Sequence, residues 1–287
     1  MTENRHTVLV HTQEQLDQAL EAARAAGLKV GFVPTMGALH AGHISLVSLA
    51  HTYADIVVLS IFVNPKQFGA GEDFDRYPRT LEADFSAVAG NADIVFAPAV
   101  EEVYPANQTV APKHAGPVGE TFEGAARPGH FDGMLTVVAR LFDMVRPDIA
   151  VFGEKDAQQL FLVRRLAQTE YPGLKVIGAE IVREASGLAM SSRNRYLNTE
   201  QLDIAEILAI TLATVSQLIH DGLDIAAALA IGEEMVAGEP ETKLEYLALV
   251  DPQTFERVGE NHTGKALLLI AAIVGGVRLI DNHQFDI

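Results

Sequence analysis

LKVGFVPTMGALHAGHISLVSLA, residues 28–50, is the stretch from which the fold can be read. Leu28 to Val33 is a short apolar run closed by Pro34-Thr35. A turn bearing Gly37 and Gly42 leads from it into a second apolar stretch, Ile44 to Leu49. Strand, turn and helix follow in that order, with the helix expected to start near His43. Upstream, Thr12 and Gln15 have capping-box spacing, and Leu16, Ala19, Leu20 and Ala23 recur with helical period up to Gly27, which predicts a surface helix. Downstream the alternation continues: residues 55–63, 93–96, 149–152 and 174–177 read as strands, and residues 79–88, 134–145 and 157–167 as helices. These strands are apolar throughout rather than half polar, the pattern of a parallel sheet covered on both faces. A Rossmann-like α/β domain is therefore expected over residues 1–178.

From about residue 179 the rhythm changes. Ile181 to Met190 holds Ser186-Gly187 between two short runs, as a hairpin would. Leu202 to Leu218 and Ile225 to Val236 have helical period, Leu244 to Val250 and Ala266 to Val274 read as strands, and Arg278 to Asp281 is a candidate for one more. A smaller α+β domain is expected over residues 179–287.

Composition narrows the function classes. Asp and Glu total 38 against 21 Lys and Arg, a formal charge of −17, which repels a nucleic-acid backbone unless the cations are concentrated in one place. The longest near-apolar run, Ala266 to Val277, has 12 residues, against roughly 20 needed to span a bilayer, so no membrane partner is expected. Cysteine is absent, which removes disulfides, thiolate metal sites and thiol nucleophiles together. The opening MTENRHTVLV lacks the apolar core of a signal peptide, so a cytoplasmic address is expected and the sequons at Asn107 and Asn261 are read as chance.

Two apparent nucleotide motifs fail. Gly259 to Lys265 has Walker spacing, but Ala266 stands where a hydroxyl must hold magnesium and the next segment reads as a strand. Gly69-Ala70-Gly71 lacks the third glycine of a dinucleotide fingerprint and runs into Glu72-Asp73, so it is read as a flexible loop.

Three other elements carry chemistry. In the turn Met36-Gly37-Ala38-Leu39-His40-Ala41-Gly42-His43, the glycines let backbone approach a ligand, and the start of the following helix favours an anion. His40 and His43, three apart, can donate to a polyphosphate from one side of the turn; they can equally cap the helix, and a metal would need ligands not found nearby. Gly153-Glu154-Lys155-Asp156 follows a strand at its carboxyl end, where open parallel sheets gather ligands, so Lys155 can hold phosphate and Asp156 a ribose hydroxyl. An exposed Glu-Lys-Asp is otherwise an ordinary solvated loop. Met190-Ser191-Ser192-Arg193-Asn194 brings two hydroxyls and a guanidinium to a segment suited to close over phosphates, or, more plainly, to a turn whose serines cap a helix.

Together the His-x-Gly-His turn and the Met-Ser-Ser-Arg segment resemble the nucleotidyltransferase superfamily that includes class I aminoacyl-tRNA synthetases. Within it, residues 34–43, 62–68 (FVNPKQF), 127–131 (RPGHF), 153–156 and 190–194 together resemble the pantothenate synthetase family, in that family's order and over nearly the whole chain. The resemblance implies ligation of pantoate to β-alanine with ATP and Mg²⁺ through a pantoyl adenylate, releasing AMP and pyrophosphate. It implies that residues 36–43 line ATP with His40 and His43 at its phosphates, and that Lys155 holds phosphates and Asp156 the ribose. Residues 190–193 would take the nucleotide from the lid side and backbone at Val182 would approach the adenine. Gln67 and Gln159 would bind pantoate, and Asn64, Asp84, Glu123 and Arg127 would lie around the substrates. His43, His40, Lys155 and Arg193 would be catalytic; no metal ligand is implied, and a homodimer is. Lys66, Asp132, Ala157 and Ser186 depart from the usual pattern without removing a group that has a chemical role. Another small-molecule adenylyltransferase of the superfamily, or a non-catalytic nucleotide-binding protein, are the alternatives.

Overall fold

The computed structural model describes residues 6–69 and 71–287; Ala70, in the loop read from Gly69 to Gly71, and the first five residues of the opening segment lie outside them. Two compact units form: one runs to Glu154 and includes Leu162–Ala179, and the other comprises Lys155–Phe161 and Glu180–Ile287.

In the first unit the elements are β1 (Val8–Val10), α1 (Gln13–Ala25), β2 (Val30–Thr35), α2 (Ala41–Ala50), β3 (Ile56–Ile61), α3 (Leu81–Val88) and β4 (Ile94–Phe96). Then come α4 (Val100–Val103), α5 (Glu123–Ala126), α6 (His130–Val145), β5 (Ile149–Gly153), α7 (Ala157–Glu170), whose first residues belong to the other unit, and β6 (Lys175–Ala179). The six strands form one parallel sheet in the order β1-β4-β3-β2-β5-β6. The expected Rossmann-like sheet is present. On one side Leu46, Val47 and Ala50 of α2 pack on Val33, Val57, Leu59 and Val151. Elsewhere in the core, Phe142 of α6 meets Phe32 and Phe152 edge to face.

Chain order reverses at β2, which pairs with both β3 and β5. Such a switch point is where open α/β sheets bind ligands. The ladder to β3 follows β2 along its whole length, whereas that to β5 stops at Phe32 and Ala150 although both strands continue. Sequence explains the stop. Lys29 and Thr35 direct their carbonyls to the β3 side, where Ile56 and Phe62 donate to them, while the Val30 carbonyl accepts from Asp148 ahead of β5. Even-numbered positions therefore face β5, and the next one beyond Phe32 is Pro34, which has no N–H to give. The carboxyl ends of β2 and β5 are left unpaired with each other, one leading to His40 and the other to Gly153-Glu154.

The second unit contains α8 (Thr199–Ala205), α9 (Ile207–His220), α10 (Ile225–Ala237), β7 (Thr242–Val250), β8 (Lys265–Val274) and β9 (Val277–Asp286), the strands antiparallel in the order β7-β8-β9. Leu208, Leu212, Val215 and Ile219 of α9 cover Leu268, Ile270 and Ala272.

Three expectations need correction. The helix expected from Leu202 to Leu218 is two helices, because at Glu206 the backbone N–H bonds Asp203 in a tight turn. Residues 199–220 are long and apolar enough for a membrane span by composition, yet that turn interrupts them and 44% of their most apolar window is buried. The last strand extends well beyond Arg278 to Asp281, because buried Asp281 and Asn282 break its apolar pattern without breaking its pairing. β1 escaped the sequence pattern altogether, being three residues at a sheet edge.

Gly133 places α6 against the single 3₁₀ turn Pro65–Gln67. A Cβ there would overlap the Lys66 carbonyl oxygen and lie 2.8 Å from Gln67 Cα. Gly→Ala inside a helix ordinarily stabilises by about 1 kcal/mol. Here the sign should reverse, G133A losing about 1–3 kcal/mol as the turn is pushed away; thermal denaturation checks it, and an unchanged or raised Tm would show that the turn yields freely.

Candidate active site

The turn after β2 is built around a carboxylate. Gly37 and Ala38 both have positive φ (83° and 53°), which curls the successive amides of Ala38 and Leu39 into a concavity that holds an anion. Its occupant is Asp84 of α3, 3% exposed, which accepts from Ala38 N at 3.0 Å, Leu39 N at 2.8 Å and the Thr80 hydroxyl at 3.1 Å. Gly37 is required twice over, since a Cβ would lie 2.9 Å from Asp84 Oδ2.

The helix starts at Ala41, earlier than expected, and its first amides are largely satisfied within the chain. Gly42 N–H donates to His40 Nδ1 (3.2 Å), His40 N–H donates to His43 Nδ1 (3.3 Å), and His43 N–H donates to the His40 carbonyl (2.8 Å). The two rings form a reciprocal capping box with centroids 4.2 Å apart. Helix capping and ligand donation, alternatives in the sequence, are thus compatible. With Nδ1 accepting, each neutral ring carries its proton on Nε2, where it is a donor.

Beyond β3, Asn64 (1% exposed) caps the turn Pro65–Gln67 by accepting from Lys66 N. Its Nδ2 donates to Gln67 Oε1 and to the Gly133 carbonyl, both at 3.1 Å, and Gln67 Nε2 donates to Met36 Sδ at 3.0 Å. Asn64, Gln67, Met36 and Asp84 are thereby tied to the turn of His40.

Arg127 grips Glu72 with two bonds, at 2.9 and 2.6 Å. This contact and burial compete at Glu72, and the hydrogen bond prevails, holding the carboxyl below its usual range. Arg127 also lies 3.1 Å from His130 Nε2, while His130 Nδ1 is 2.9 Å from the Gln67 carbonyl. A carbonyl only accepts, so Nδ1 carries the proton and Nε2 accepts from the guanidinium. Protonating Nε2 would set N–H against N–H. Burial first, and then the Arg127 charge, push His130 down to about 4. Glu123, at the start of α5, also acts on His130 through its charge.

The second unit holds the remaining candidates. Lys155 and Asp156 lie in a 3₁₀ turn before α7, on which Gln159 is half-buried. Asn282 of β9 donates to the Lys155 carbonyl at 2.9 Å. Its neighbour Asp281 accepts from Arg183 through both oxygens, at 2.6 and 3.0 Å, and Arg183 donates on to the Gly187 carbonyl. The segment expected as a hairpin closes through one bridge, Arg183 to Ala189, with Met190 N–H donating to the Val182 carbonyl. Ser191 caps the 3₁₀ helix Ser192–Tyr196 by accepting from Arg193 N, so capping holds the segment in shape.

The sequence pointed to none of Glu72, His130, Asp281 or Asn282 as individual site residues. His130 lay inside the quoted RPGHF motif; the others had no local signal, since their partners are 55 to 127 positions away.

The family model for pantoate-beta-alanine ligase matches residues 8–284. The chain belongs to that family. Pantothenate synthetase from Leifsonia xyli is 49% identical over 98% of this chain and 99% of its own, and that from a Nocardioides species is 51% identical over 96% and 84%. Among solved structures, pantothenate synthetase from Thermus thermophilus superposes with a TM-score of 0.89 at 44% identity, covering 96% of this chain and 98% of its own. Pantoate-beta-alanine ligase from Francisella tularensis, solved with beta-gamma ATP and beta-alanine, gives 0.75 at 32% identity, covering 96% and 97%.

The four positions expected to depart from the family pattern have local structural uses. Asp132 accepts from Ala115 N and pairs with His114, Lys66 lies 4.0 Å over the Tyr104 ring, Ser186 accepts weakly from Leu188 N, and Ala157 opens α7.

His130 gives a pH signature. Its folded pKa lies below the ordinary value near 6.5, so between about 6.5 and about 4 the unfolded chain binds the proton and the folded one does not. Stability must fall as pH drops through that window. Against H130N, which keeps a donor toward the Gln67 carbonyl and does not titrate, the native protein should lose about 2 kcal/mol more between about pH 7 and about pH 5. Parallel stability curves in denaturant titrations would remove His130 as the cause.

Proposed function

We propose that this chain condenses pantoate with β-alanine in two steps, the first consuming ATP to form a pantoyl adenylate and the second consuming that adenylate. The observation carrying the proposal is the histidine pair after β2, at the strand end where the ladder to β5 has stopped, with both Nδ1 atoms used as acceptors, so that each neutral ring carries its proton on Nε2. Family membership over residues 8–284 supplies the reaction class.

In the first step the pantoate carboxylate attacks the α-phosphorus of ATP, a P–O bond to the β-phosphate breaks, and pyrophosphate leaves. Charge grows on the transferring group and on the leaving oxygens, so positioned donors and cations are the main catalytic device and no protein nucleophile is needed. We assign His40, His43, Lys155 and Arg193 to those phosphates, Asp156 to the ribose, and backbone at Val182 to the adenine. Gly37 and Gly42 let the turn of residues 36–43 approach the nucleotide, and Ser191 and Ser192 flank Arg193 on the lid. Gln67 and Gln159 hold pantoate, and Glu123 and Arg127 border it. Asn64 and Asp84 serve the same site from behind, through the bonds described above. In the second step the β-alanine amine attacks the acyl carbon and AMP departs, which positioning alone can promote.

Mg²⁺ enters with the phosphates as part of the ATP substrate. Among the described residues no group of three or more His, Asp or Glu side chains could hold an ion, which suits an ion carried mainly by phosphate oxygens. A cytoplasmic homodimer, with residues 1–178 binding nucleotide and pantoate and residues 179–287 contributing the lid, completes the proposal.

Labelled pyrophosphate should exchange into ATP when pantoate is present and β-alanine absent; no exchange in an active enzyme would end the free-adenylate scheme. H43A and K155A should slow adenylation by about 10²- to 10³-fold with smaller changes in ATP affinity. Both should be largely spared when synthetic pantoyl adenylate and β-alanine are supplied. Equal defects from either starting point would reassign the residue to a structural role.

A further inference from the structure

Tyr104, after α4, lies outside every motif of the sequence, yet its hydroxyl donates to Asn64 Oδ1 at 2.9 Å. Backbone groups settle the orientation of the Asn64 amide. Lys66 N–H can only donate and meets Oδ1; the Gly133 carbonyl can only accept and meets Nδ2. Tyr104 must therefore donate, and the Gln67 oxygen must face Asn64 Nδ2. Donors then run one way, from Tyr104 to Asn64 to Gln67 to Met36 Sδ, with both amide residues buried. Gln67 is thus presented with its NH₂ end toward Met36, and the second N–H of that group has no partner among the described residues.

We propose that Tyr104 is a positioning residue for pantoate recognition, acting through Asn64 to hold the Gln67 amide in one orientation and one rotamer. Pantoate, a hydroxy acid rich in acceptor oxygens, is the substrate such an N–H suits, so the inference rests on Gln67 binding pantoate. Two features keep the tyrosine in its role. Burial raises its hydroxyl well above the ordinary phenol range, so it remains a donor at any working pH. The Lys66 ammonium, 4.0 Å over the ring, and Phe62, 6.3 Å away, fix the ring itself.

The experiment is steady-state kinetics on the full-length enzyme with Y104F, Q67A and the double variant. Y104F keeps the ring and removes only the donor. It should raise the KM for pantoate by about 5- to 20-fold, leaving kcat and the KM values for ATP and β-alanine within about twofold. Placed on Q67A it should add nothing, because the residue it positions is gone. N64D, which turns the donor toward Gln67 into an acceptor, cuts the same chain one link further along and should give the same pantoate-selective rise even if Y104F folds poorly. If Q67A leaves the pantoate KM unchanged, the pantoate assignment of Gln67 is wrong. If Q67A raises it but Y104F and N64D do not, or if Y104F affects all three substrates alike, the positioning role of Tyr104 is wrong and the hydroxyl serves the fold alone.

Discussion

Asp84 is the interaction on which the site depends. A buried carboxylate is costly unless its oxygens are satisfied, and this one takes two successive backbone amides and a hydroxyl from the turn and helix around it. The bonds that satisfy it hold the Gly37-Ala38 curl in place, since Ala38, unlike glycine, would not favour left-handed backbone in a free loop. The consequence for recognition is chemical. The amide concavity that a phosphate could have entered is filled by the protein's own carboxylate, so in the proposed site the donors this turn offers a nucleotide are the imidazoles rather than these amides.

Pro34 complements this from the sheet side. By ending the ladder between β2 and β5 it opens the strand ends without breaking the pairing of β2 with β3, which carries the turn. Around the opening, polar groups are locked by partners of fixed sense. A carbonyl orders His130, burial and then a guanidinium keep that ring neutral, and Glu72 compensates the guanidinium. In a chain of net charge −17, Arg127 is one cation whose charge is already matched by a carboxylate of the chain itself.

Much of this was legible beforehand, for identifiable reasons. Apolar strands alternating with helices declare a parallel sheet whatever the details, and the Thr12/Gln15 box marks α1 because capping is local. The His40/His43 turn and the Lys155 loop were visible because glycine and charge at a strand end carry meaning at short range. The roles of Asp84 and Asn64 were not, since a sequence shows that a polar residue is near a motif without showing which way it faces. Glu72, Asp281 and Asn282 were silent because each acts on a partner far along the chain. The break at Glu206 was missed because Leu202 to Leu218 keeps helical period across it.

Asp84 and Asp281 are the two carboxylates among the buried residues described, and their positions are informative. Neither supports a core by apolar contact; each holds backbone next to a segment assigned to ATP, Asp84 the turn of residues 37–39 and Asp281, through Arg183, the carbonyl of Gly187 before Met190. Beside it Asn282 holds the carbonyl of Lys155. Apolar residues in these places would pack at lower desolvation cost, so stability alone does not account for them. Fixed geometry does. Groups that must meet growing charge without reorganising need a supporting layer whose own bonds are directional, and a buried carboxylate with every partner in place provides that more rigidly than hydrophobic contact, which has no preferred direction.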